Sequence, residues 1–290
     1  MNKVAILTDS NSGITQAQSK ELGIFVVPMP FYIDGNLFYE DIDLTQEEFY
    51  EKLTKGGEIT TSMPITGNLM DIWDSILKDY DELVYIPMSS GLSSSCATAK
   101  MLSEDYDGRV VVVDNQRISV TQKLSAIEAK KLADLGKSAQ EICDALMEVK
   151  SLSTIYITVD TLEYLKKGGR LTPAVAAIGS LLKIKPVLSI YGEKLDKYAM
   201  ARTMKQAKQI MIDALKKDMK NVIKTDNLDE VTISIAHTQN QEAAEKFREV
   251  LLNEFPGKEI WIDPLSLSVS CHIGPGALAC TVTKKLIDIK

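Results

Sequence analysis

The chain has 290 residues, a length that is typical of about two domains. Lys and Arg number 33 against 40 Asp and Glu, so the formal net charge is −7 and the chain lacks the basic excess that nucleic-acid binding requires. Hydrophobic residues make up 45% and charged residues 25%, and these values exclude a disordered, collagenous or coiled-coil chain.

The sequence carries no sign of a membrane span, an exported segment or a metal site. No uncharged apolar run approaches the ~18 residues of a transmembrane helix, and the N-terminal apolar run is too short for a signal peptide. Four cysteines without a CxxC pair and two histidines give neither a disulfide scaffold nor a zinc site. We therefore expect a cytoplasmic protein with no metal and no cofactor.

The first half of the chain alternates short apolar runs with helical segments. Strands are predicted at residues 4–7, 24–27, 83–86 and 110–113, the last as a strand buried on both faces. Helices are predicted at 15–22, from the capping box Thr45-x-x-Glu48 to Gly56, and at 69–77, 96–102, 119–135 and 139–149. Asp34-Gly35 indicates an inserted hairpin. This order predicts a mainly parallel sheet with helices on both faces.

The second half of the chain has a different order of elements. A strand at 154–159 precedes helical segments up to residue 182, and a hairpin of 184–190 and 194–200 turns at Tyr191-Gly192-Glu193. A helix at 203–220, strands at 231–236, 259–262 and 277–282, and a helix at 241–255 complete the chain. The sequence thus predicts an α/β domain of residues 1–153 and an α+β domain of residues 154–290 with a largely antiparallel sheet.

Hydroxyl side chains gather in three predicted loops, Thr8-Asp9-Ser10, Thr60-Thr61-Ser62 and the serine-rich run of residues 89–95. Ligands of open α/β sheets lie beyond the strand ends, and the third loop precedes a helix, whose first N–H groups can bind an anion. Serines at such places also serve simply as helix caps. Neither GxxxxGK[ST] nor GxGxxG occurs, so the pattern favours a small anion such as a carboxylate over a nucleotide.

One histidine and two arginines are further candidates. His272 precedes Gly274-Pro275-Gly276, whose turn chemistry predicts a loop that either places this side chain or is merely braced by it. Arg170 follows a helix end and Arg202 a strand end, where a cation either balances a helix dipole or binds an anion. Ser93 and His272 also suggest a serine hydrolase, although Ser95 stands where GxSxG requires glycine.

Taken together, these motifs resemble the DegV family, the fatty-acid-binding subunits of bacterial fatty acid kinase. The resemblance runs through the whole chain and departs from it at Ser94-Ser95-Cys96, where many relatives have Gly-Thr-Tyr. The motifs that carry it are Thr8-Asp9-Ser10, Thr61-Ser62-Met63-Pro64, Ser90-Gly91-Leu92-Ser93, Lys167-Gly168-Gly169-Arg170-Leu171, Lys185-Pro186-Val187-Leu188 and His272-Ile273-Gly274-Pro275-Gly276.

The resemblance implies a function and a set of site residues. A long-chain fatty acid is expected in an apolar tunnel between the two domains, with its carboxylate held by the hydroxyls of Thr61, Ser62 and Ser93 and with Arg170 and His272 nearby. The chain would present this acid to an ATP-binding kinase subunit that resembles dihydroxyacetone kinases, and an acyl phosphate would form. Arg170 and Arg202 are expected to contact that partner. Transient contact with a membrane is compatible with this role, and nucleic acid is not an expected partner.

Two other classes of function compete with a lipid-binding, non-enzymatic subunit. A serine esterase or thioesterase would use Ser93 with His272, and it would hydrolyse a chromogenic ester. A binder of a small polar ligand, similar to the substrate domain of dihydroxyacetone kinases, would carry no lipid. Organic extraction followed by mass spectrometry distinguishes that binder from a fatty-acid-binding protein.

Overall fold

A computed structural model of the chain describes residues 2–178, 184–192 and 194–287. Packing groups the described residues into two units, the first with residues 2–45, 58–150 and 286–287 and the second with 46–57 and the described part of 151–285. The predicted domains of 1–153 and 154–290 differ from these units in three segments. Residues 46–57 and 151–153 group with the second unit, and residues 286–287 group with the first.

The elements of the first 150 residues follow the predicted alternation. The strands are β1 (Val4–Asp9), β2 (Phe25–Val27), β3 (Pro30–Ile33), β4 (Asn36–Tyr39), β5 (Ile59–Thr61), β6 (Glu82–Ile86) and β7 (Val110–Val112). The helices are α1 (Gln16–Leu22), α2 (Gln46–Thr54), α3 (Thr66–Ile76), α4 (Ser95–Ser103), α5 (Val120–Asp134) and α6 (Ala139–Glu148). In the described part of the first unit, four parallel strands lie in the order β2-β1-β6-β7, and β4-β3-β5 form a separate antiparallel sheet.

The central strand β1 is apolar from Val4 to Leu7 because both of its faces are covered. Val4 and Ile6 belong to a buried cluster with side chains of α5 and α6, whereas Ala5 and Leu7 belong to a second cluster with Trp73 of α3. Successive side chains of a strand point to opposite faces, so a sheet with helices on both faces needs such a continuous apolar run. The predicted parallel sheet with flanking helices is confirmed.

Two local predictions in this unit are wrong. The strand β7 was expected to be buried on both faces, but it lies at the sheet edge, and Val111 and Val112 are only half-buried. The predicted Thr60-Thr61-Ser62 loop is largely strand, because Thr60 and Thr61 pair in β5 with Tyr32 and Phe31. A three-residue strand rich in hydroxyls lacks the apolar alternation by which strands are recognised.

The second unit has a larger, mixed sheet. Its strands are β8 (Ser153–Thr158), β9 (Lys185–Ile190), β10 (Asp196–Ala201), β11 (Val231–His237), β12 (Ile260–Pro264) and β13 (Leu278–Lys284). Its further helices are α7 (Glu163–Gly168), α8 (Pro173–Ala176), α9 (Met204–Asp218), α10 (Gln241–Glu254) and α11 (Leu267–Ile273). Among the described residues the strand order is β10-β9-β8-β13-β11-β12, antiparallel except for the parallel β11–β12 pair, which confirms a largely antiparallel sheet.

Side chains of α9 and α10, including Met211, Leu215 and Phe247, form one buried cluster with Ile233 and Ile235 of β11. Residues 179–183, which contain the end of the predicted helical stretch, and Glu193 of the predicted hairpin turn lie outside the described residues.

Helix α2 belongs to the second unit although its neighbours in sequence belong to the first. The Tyr50 hydroxyl donates to Ser270 Oγ at 2.9 Å, and Gln46 Nε2 donates to the Leu265 carbonyl at 3.3 Å. Phe49 and Leu53 are buried beside Tyr50 on the same helix. The insertion of α2 therefore contributes packing and two polar contacts to the second unit.

The turn after β1 is an internal anchor rather than an open hydroxyl loop. Thr8, Asp9 and Ser10 are all buried. Asp9 Oδ1 accepts the Asn11 backbone N–H at 3.0 Å, and Asp9 Oδ2 accepts the Met88 backbone N–H at 2.8 Å. Burial raises the pKa of Asp9, and these donors offset part of that rise. The first of the three predicted hydroxyl loops is thus occupied by structural hydrogen bonds.

Gln122 of α5 joins the same network. Its Nε2 lies 3.0 Å from Thr8 Oγ1, 3.0 Å from Asp9 Oδ1 and 3.1 Å from the Ile86 carbonyl oxygen. Ile86 ends β6, and Met88 starts the segment that leads to Ser93. The Asp9 carboxylate and the Gln122 amide therefore fix the direction in which the serine-rich loop leaves the sheet.

We expect Asp9→Asn to lower the free energy of unfolding by about 1–3 kcal/mol, because the new amide NH₂ must face a backbone or side-chain N–H donor. Urea denaturation of the purified variant measures this change. Asp107→Asn is the matched control, since Asp107 is exposed and has a φ of +50°, a conformation that asparagine tolerates. Equal stability of the two variants would show that Asp9 does not anchor the loop.

Candidate functional site

The serine-rich loop places Ser93 at the start of α4. The Ser89 backbone N–H donates to the Arg117 carbonyl at 2.9 Å, and the Ser93 N–H donates to the Ser89 carbonyl at 3.2 Å. Ser93 Oγ accepts the Ser95 N–H at 3.2 Å and lies 2.7 Å from Ser95 Oγ. Ser93, which precedes the N-cap residue Ser94, thus accepts the N–H of the first residue of α4 and also keeps one hydroxyl hydrogen, which it can direct to Ser95 or to a ligand. Both interpretations of this serine are compatible with its geometry.

The end of β5 lies beside this loop. Met63 Sδ is 3.5 Å from Thr98 Oγ1 and 3.9 Å from Ser94 Oγ, so the segment that follows Thr61 and Ser62 contacts the first turns of α4. Thr61 is half-buried and Ser62 is exposed. The structure therefore brings the two segments that carry Thr61, Ser62 and Ser93 together, and Met63 is the residue between them that sequence analysis did not single out.

His272 lies in a helix and not in the predicted loop. It is the penultimate residue of α11, which Ser266 caps at its start by accepting the Val269 N–H at 3.4 Å. The helix ends at Gly274, whose φ is +75° and whose N–H donates to the Ser270 carbonyl at 2.9 Å. A seven-residue helix rich in serine gives no periodic signal, whereas the turn residues after it are conspicuous in the sequence.

Arg170 approaches His272 in the second unit. Burial, and then the positive charge of Arg170, lower the pKa of His272 to about 4, so its imidazole is neutral near pH 7. Arg170 is half-buried, and its Nη1 donates to the Gly168 carbonyl at 2.6 Å. A guanidinium and a neutral imidazole are both donors to an anion. The structure thus brings two of the predicted site residues into one neighbourhood.

Arg202 occupies a different place in the same unit. It directly follows β10, is exposed, and its backbone N–H donates to Gln206 Oε1 at 2.8 Å at the start of α9. A side chain in this position can meet a partner protein without any rearrangement of the core. Arg170 and Arg202 therefore differ in accessibility, although their sequence contexts suggested the same role.

The observed geometry gives little support to a serine hydrolase. The hydroxyl of Ser93 is paired with Ser95 at 2.7 Å. The pKa of His272, about 4, is well below the range near neutrality at which a general base is most effective.

Within residues 2–178, 184–192 and 194–287, no group of three or more His, Cys, Asp or Glu could hold a metal ion. In the same described residues, no helix is long and apolar enough to cross a membrane.

Comparison with solved structures finds a similar fold in proteins that are described as fatty-acid-binding. A structure described as a fatty-acid-binding DegV family protein from Thermus thermophilus has a TM-score of 0.88 and 26% identity and covers 97% of this chain and 99% of its own. A second, described as DegV, a fatty acid binding protein from Bacillus subtilis, has a TM-score of 0.86 and 28% identity and covers 98% and 100%.

Sequence comparison gives the same family. A DegV domain-containing protein of Clostridium perfringens is 33% identical over 287 residues, which are 96% of this chain and 97% of the relative. Protein DegV of Bacillus subtilis is 31% identical over 280 residues, with 95% and 97% covered. The model of the family, described as the DegV family of uncharacterised proteins, matches residues 3–285. The chain therefore belongs to the DegV family.

Proposed function

We propose that this protein binds a long-chain fatty acid and presents its carboxylate to a partner kinase. The observation that carries the first part is the likeness, over 97–98% of the chain, to two solved proteins that are described as fatty-acid-binding. In this proposal Thr61, Ser62 and Ser93 supply hydroxyl donors for the carboxylate. Arg170 and His272 supply a cation and an imidazole.

The chemistry of these groups suits a carboxylate. An ionised carboxylate that leaves water needs hydrogen-bond donors, because an unpaired buried charge costs several kcal/mol. Hydroxyls, a guanidinium and an imidazole are donors of this kind, and Ser93 keeps a hydrogen that it can direct to a ligand. Burial of ~14 methylenes at ~0.8 kcal/mol each contributes about 11 kcal/mol before the costs of association.

The second part of the proposal concerns phosphoryl transfer. The sequence holds neither of the two glycine-rich phosphate motifs, so ATP is expected on another subunit, similar to dihydroxyacetone kinases. A carboxylate oxygen of the bound acid would attack the terminal phosphorus of ATP, with ADP as the leaving group and an acyl phosphate as the product. A carboxylate is already ionised near pH 7, so this chain would orient the nucleophile and supply no general base.

We expect the purified protein to release a long-chain fatty acid on extraction with organic solvent, detected by mass spectrometry. After removal of that lipid, Ser93→Ala and Thr61→Val should each weaken fatty-acid binding about 10- to 150-fold, because each loses a hydrogen bond of ~1.5–3 kcal/mol to a charged acceptor. Fluorescence titration measures the affinity.

Neighbouring positions provide matched controls for both variants. Thr60 lies next to Thr61 in β5 but points to the opposite face, and Ser94 is exposed beside Ser93. Thr60→Val and Ser94→Ala should therefore bind as the unaltered protein does. The methyl ester of the same acid accepts only a neutral hydrogen bond, so its affinity should fall less than that of the acid in Ser93→Ala and Thr61→Val. Extraction of a small polar compound alone, or steady turnover of a chromogenic ester, would replace this proposal by one of its two rivals.

We propose that Arg170 and Arg202 contact the kinase subunit, and Arg202 provides the cleaner test because it is exposed. Arg202→Glu should slow acyl-phosphate formation with the kinase most at low ionic strength, since charges at an interface rim mainly accelerate association. Rates at several salt concentrations measure the effect. Arg248→Glu makes the same charge change at an exposed position of α10. Identical rates of the two variants at every salt concentration would contradict the assignment of Arg202.

The pKa of His272 should change when a fatty-acid carboxylate binds beside it. In the free protein we expect a pKa of about 4, below the ordinary 6.5, and a bound carboxylate should raise it. Because the pKa of His272 is lower in the folded state, this residue contributes stability above pH 6.5 and loses it as the pH falls towards 4. Proton NMR resolves this readily in a chain with two histidines, with His237→Gln for assignment. An unchanged pKa of His272 on saturation with fatty acid would remove it from the head-group site.

A further inference from the structure

Three glycines of the second unit each accommodate a side chain from the facing segment. A Cβ placed on Gly168 would lie 2.1 Å from His272 Nδ1. On Gly274 it would lie 2.2 Å from Tyr164 Cδ2, and on Gly276 it would lie 2.2 Å from Asp160 Oδ2. All three distances are far shorter than van der Waals contact, so each glycine is required by the side chain opposite.

The three contacts follow one register. Residues 160, 164 and 168 recur every four positions, in and just before α7, whereas residues 272, 274 and 276 recur every two positions, at the end of α11 and beyond it. Along the first segment the residue numbers increase, while the numbers of the residues that they face in the second segment decrease: the facing pairs are 160 and 276, 164 and 274, and 168 and 272. The two segments therefore run antiparallel and pack closely at every contact. The Lys167-Gly168-Gly169-Arg170 turn and the His272–Gly276 segment, which are separate motifs in the sequence, form one packed structure.

The far side of the His272–Gly276 segment is held by the loop after β11. The Gly276 N–H donates to the Thr238 carbonyl at 2.8 Å, and the Ala277 N–H donates to Thr238 Oγ1 at 2.8 Å. Asn240 Nδ2 donates to the Gly276 carbonyl at 3.0 Å. These bonds oppose a movement of the segment away from α7. A side chain added at Gly168 must therefore displace the imidazole of His272 itself.

Gly168 and its neighbour Gly169 are glycines for different reasons. Gly169 has a φ of +67° and open space around its Cβ position, so its backbone conformation favours glycine. Gly168 is the last residue of α7 and does not have a positive φ, so alanine is conformationally acceptable there. The three atoms nearest to a Cβ placed on Gly168 all belong to the ring of His272. Because the backbone conformation does not require glycine at residue 168, a substitution of Gly168 specifically probes the position of the imidazole.

We infer that Gly168 is a positioning residue of the head-group site: it leaves the space in which the His272 imidazole lies and so sets where that imidazole meets the carboxylate. The inference deepens the proposed function and rests on it. Gly168 touches no ligand in this scheme and acts only through His272. Because Arg170 follows two residues later and bonds to the Gly168 carbonyl, the same turn also fixes the guanidinium beside the imidazole.

The test compares Gly168→Ala, His272→Ala and the double variant with Gly67→Ala, whose Cβ meets nothing within 4 Å and which lies in α3. We expect Gly168→Ala to lower the melting temperature when His272 is present. In the His272→Ala background the same substitution should leave or raise the melting temperature, because alanine is the better helix residue and the ring is gone. Should Gly168→Ala fail to fold while the double variant folds, the contact is supported equally.

The functional readout separates positioning from general destabilisation. Gly168→Ala should weaken fatty-acid binding about tenfold, weaken binding of the methyl ester less, because its hydrogen bond is neutral, and shift the pH titration of the His272 resonance. In the His272→Ala background it should cause no further loss of affinity. Unchanged acid binding by Gly168→Ala, or equal losses for acid and ester in both backgrounds, would overturn the inference.

The failure of the proposed function is a distinguishable result. If the unaltered protein binds no fatty acid, the proposed function is wrong, and the head-group role of Gly168 is overturned with it. The melting temperatures of the four variants do not depend on any ligand. They test the contact between Gly168 and His272 by themselves.

Discussion

The buried carboxylate of Asp9 organises the edge of the parallel sheet on which the serine-rich loop depends. A carboxylate out of water needs donors, and the backbone N–H groups of Asn11 and Met88 and the amide of Gln122 supply them. These donors come from the turn after β1, the segment after β6 and α5. The carboxyl group of Asp9 thus joins three elements that are distant in sequence. The positions of these elements determine where Ser93 lies.

The proposed ligand poses the same physical problem with a different requirement. Both carboxylate oxygens of Asp9 accept hydrogen bonds within the protein. A fatty acid that is to be phosphorylated must instead keep one carboxylate oxygen available for reaction. In the proposed site, hydroxyls, the Arg170 guanidinium and the His272 imidazole would hold the anion, and the pKa of His272, about 4, leaves that imidazole uncharged at pH 7 in the free protein.

The sequence predicts elements whose signals are local. The Asp34-Gly35 hairpin follows from two residues, which have φ values of +51° and +79°, as a two-residue turn requires. Helix α5 and the buried strand β1 are recognisable from their apolar patterns alone. In contrast, β5 has three residues and α11 has seven, too short for any period to appear. Ser93 and His272 are predicted as site residues from motifs, but Asp9–Met88 and Gly168–His272 are long-range contacts that no local pattern encodes. The membership of α2 in the second unit depends on such a contact with Ser270.

Helix α2 has a consequence for how the chain is made. The hydroxyls of Tyr50 and Ser270 are separated by 220 residues, so on a ribosome α2 is synthesised long before the helix that it packs against. Until then Phe49, Tyr50 and Leu53, all buried in the folded protein, lie on a helix that cannot yet pack against α11. Exposed apolar surface of this kind is what chaperones recognise in multidomain proteins. A single proteolytic cut cannot separate the two units, because α2 of the second unit is inserted between segments of the first, and the second unit is completed only after α11 has been synthesised.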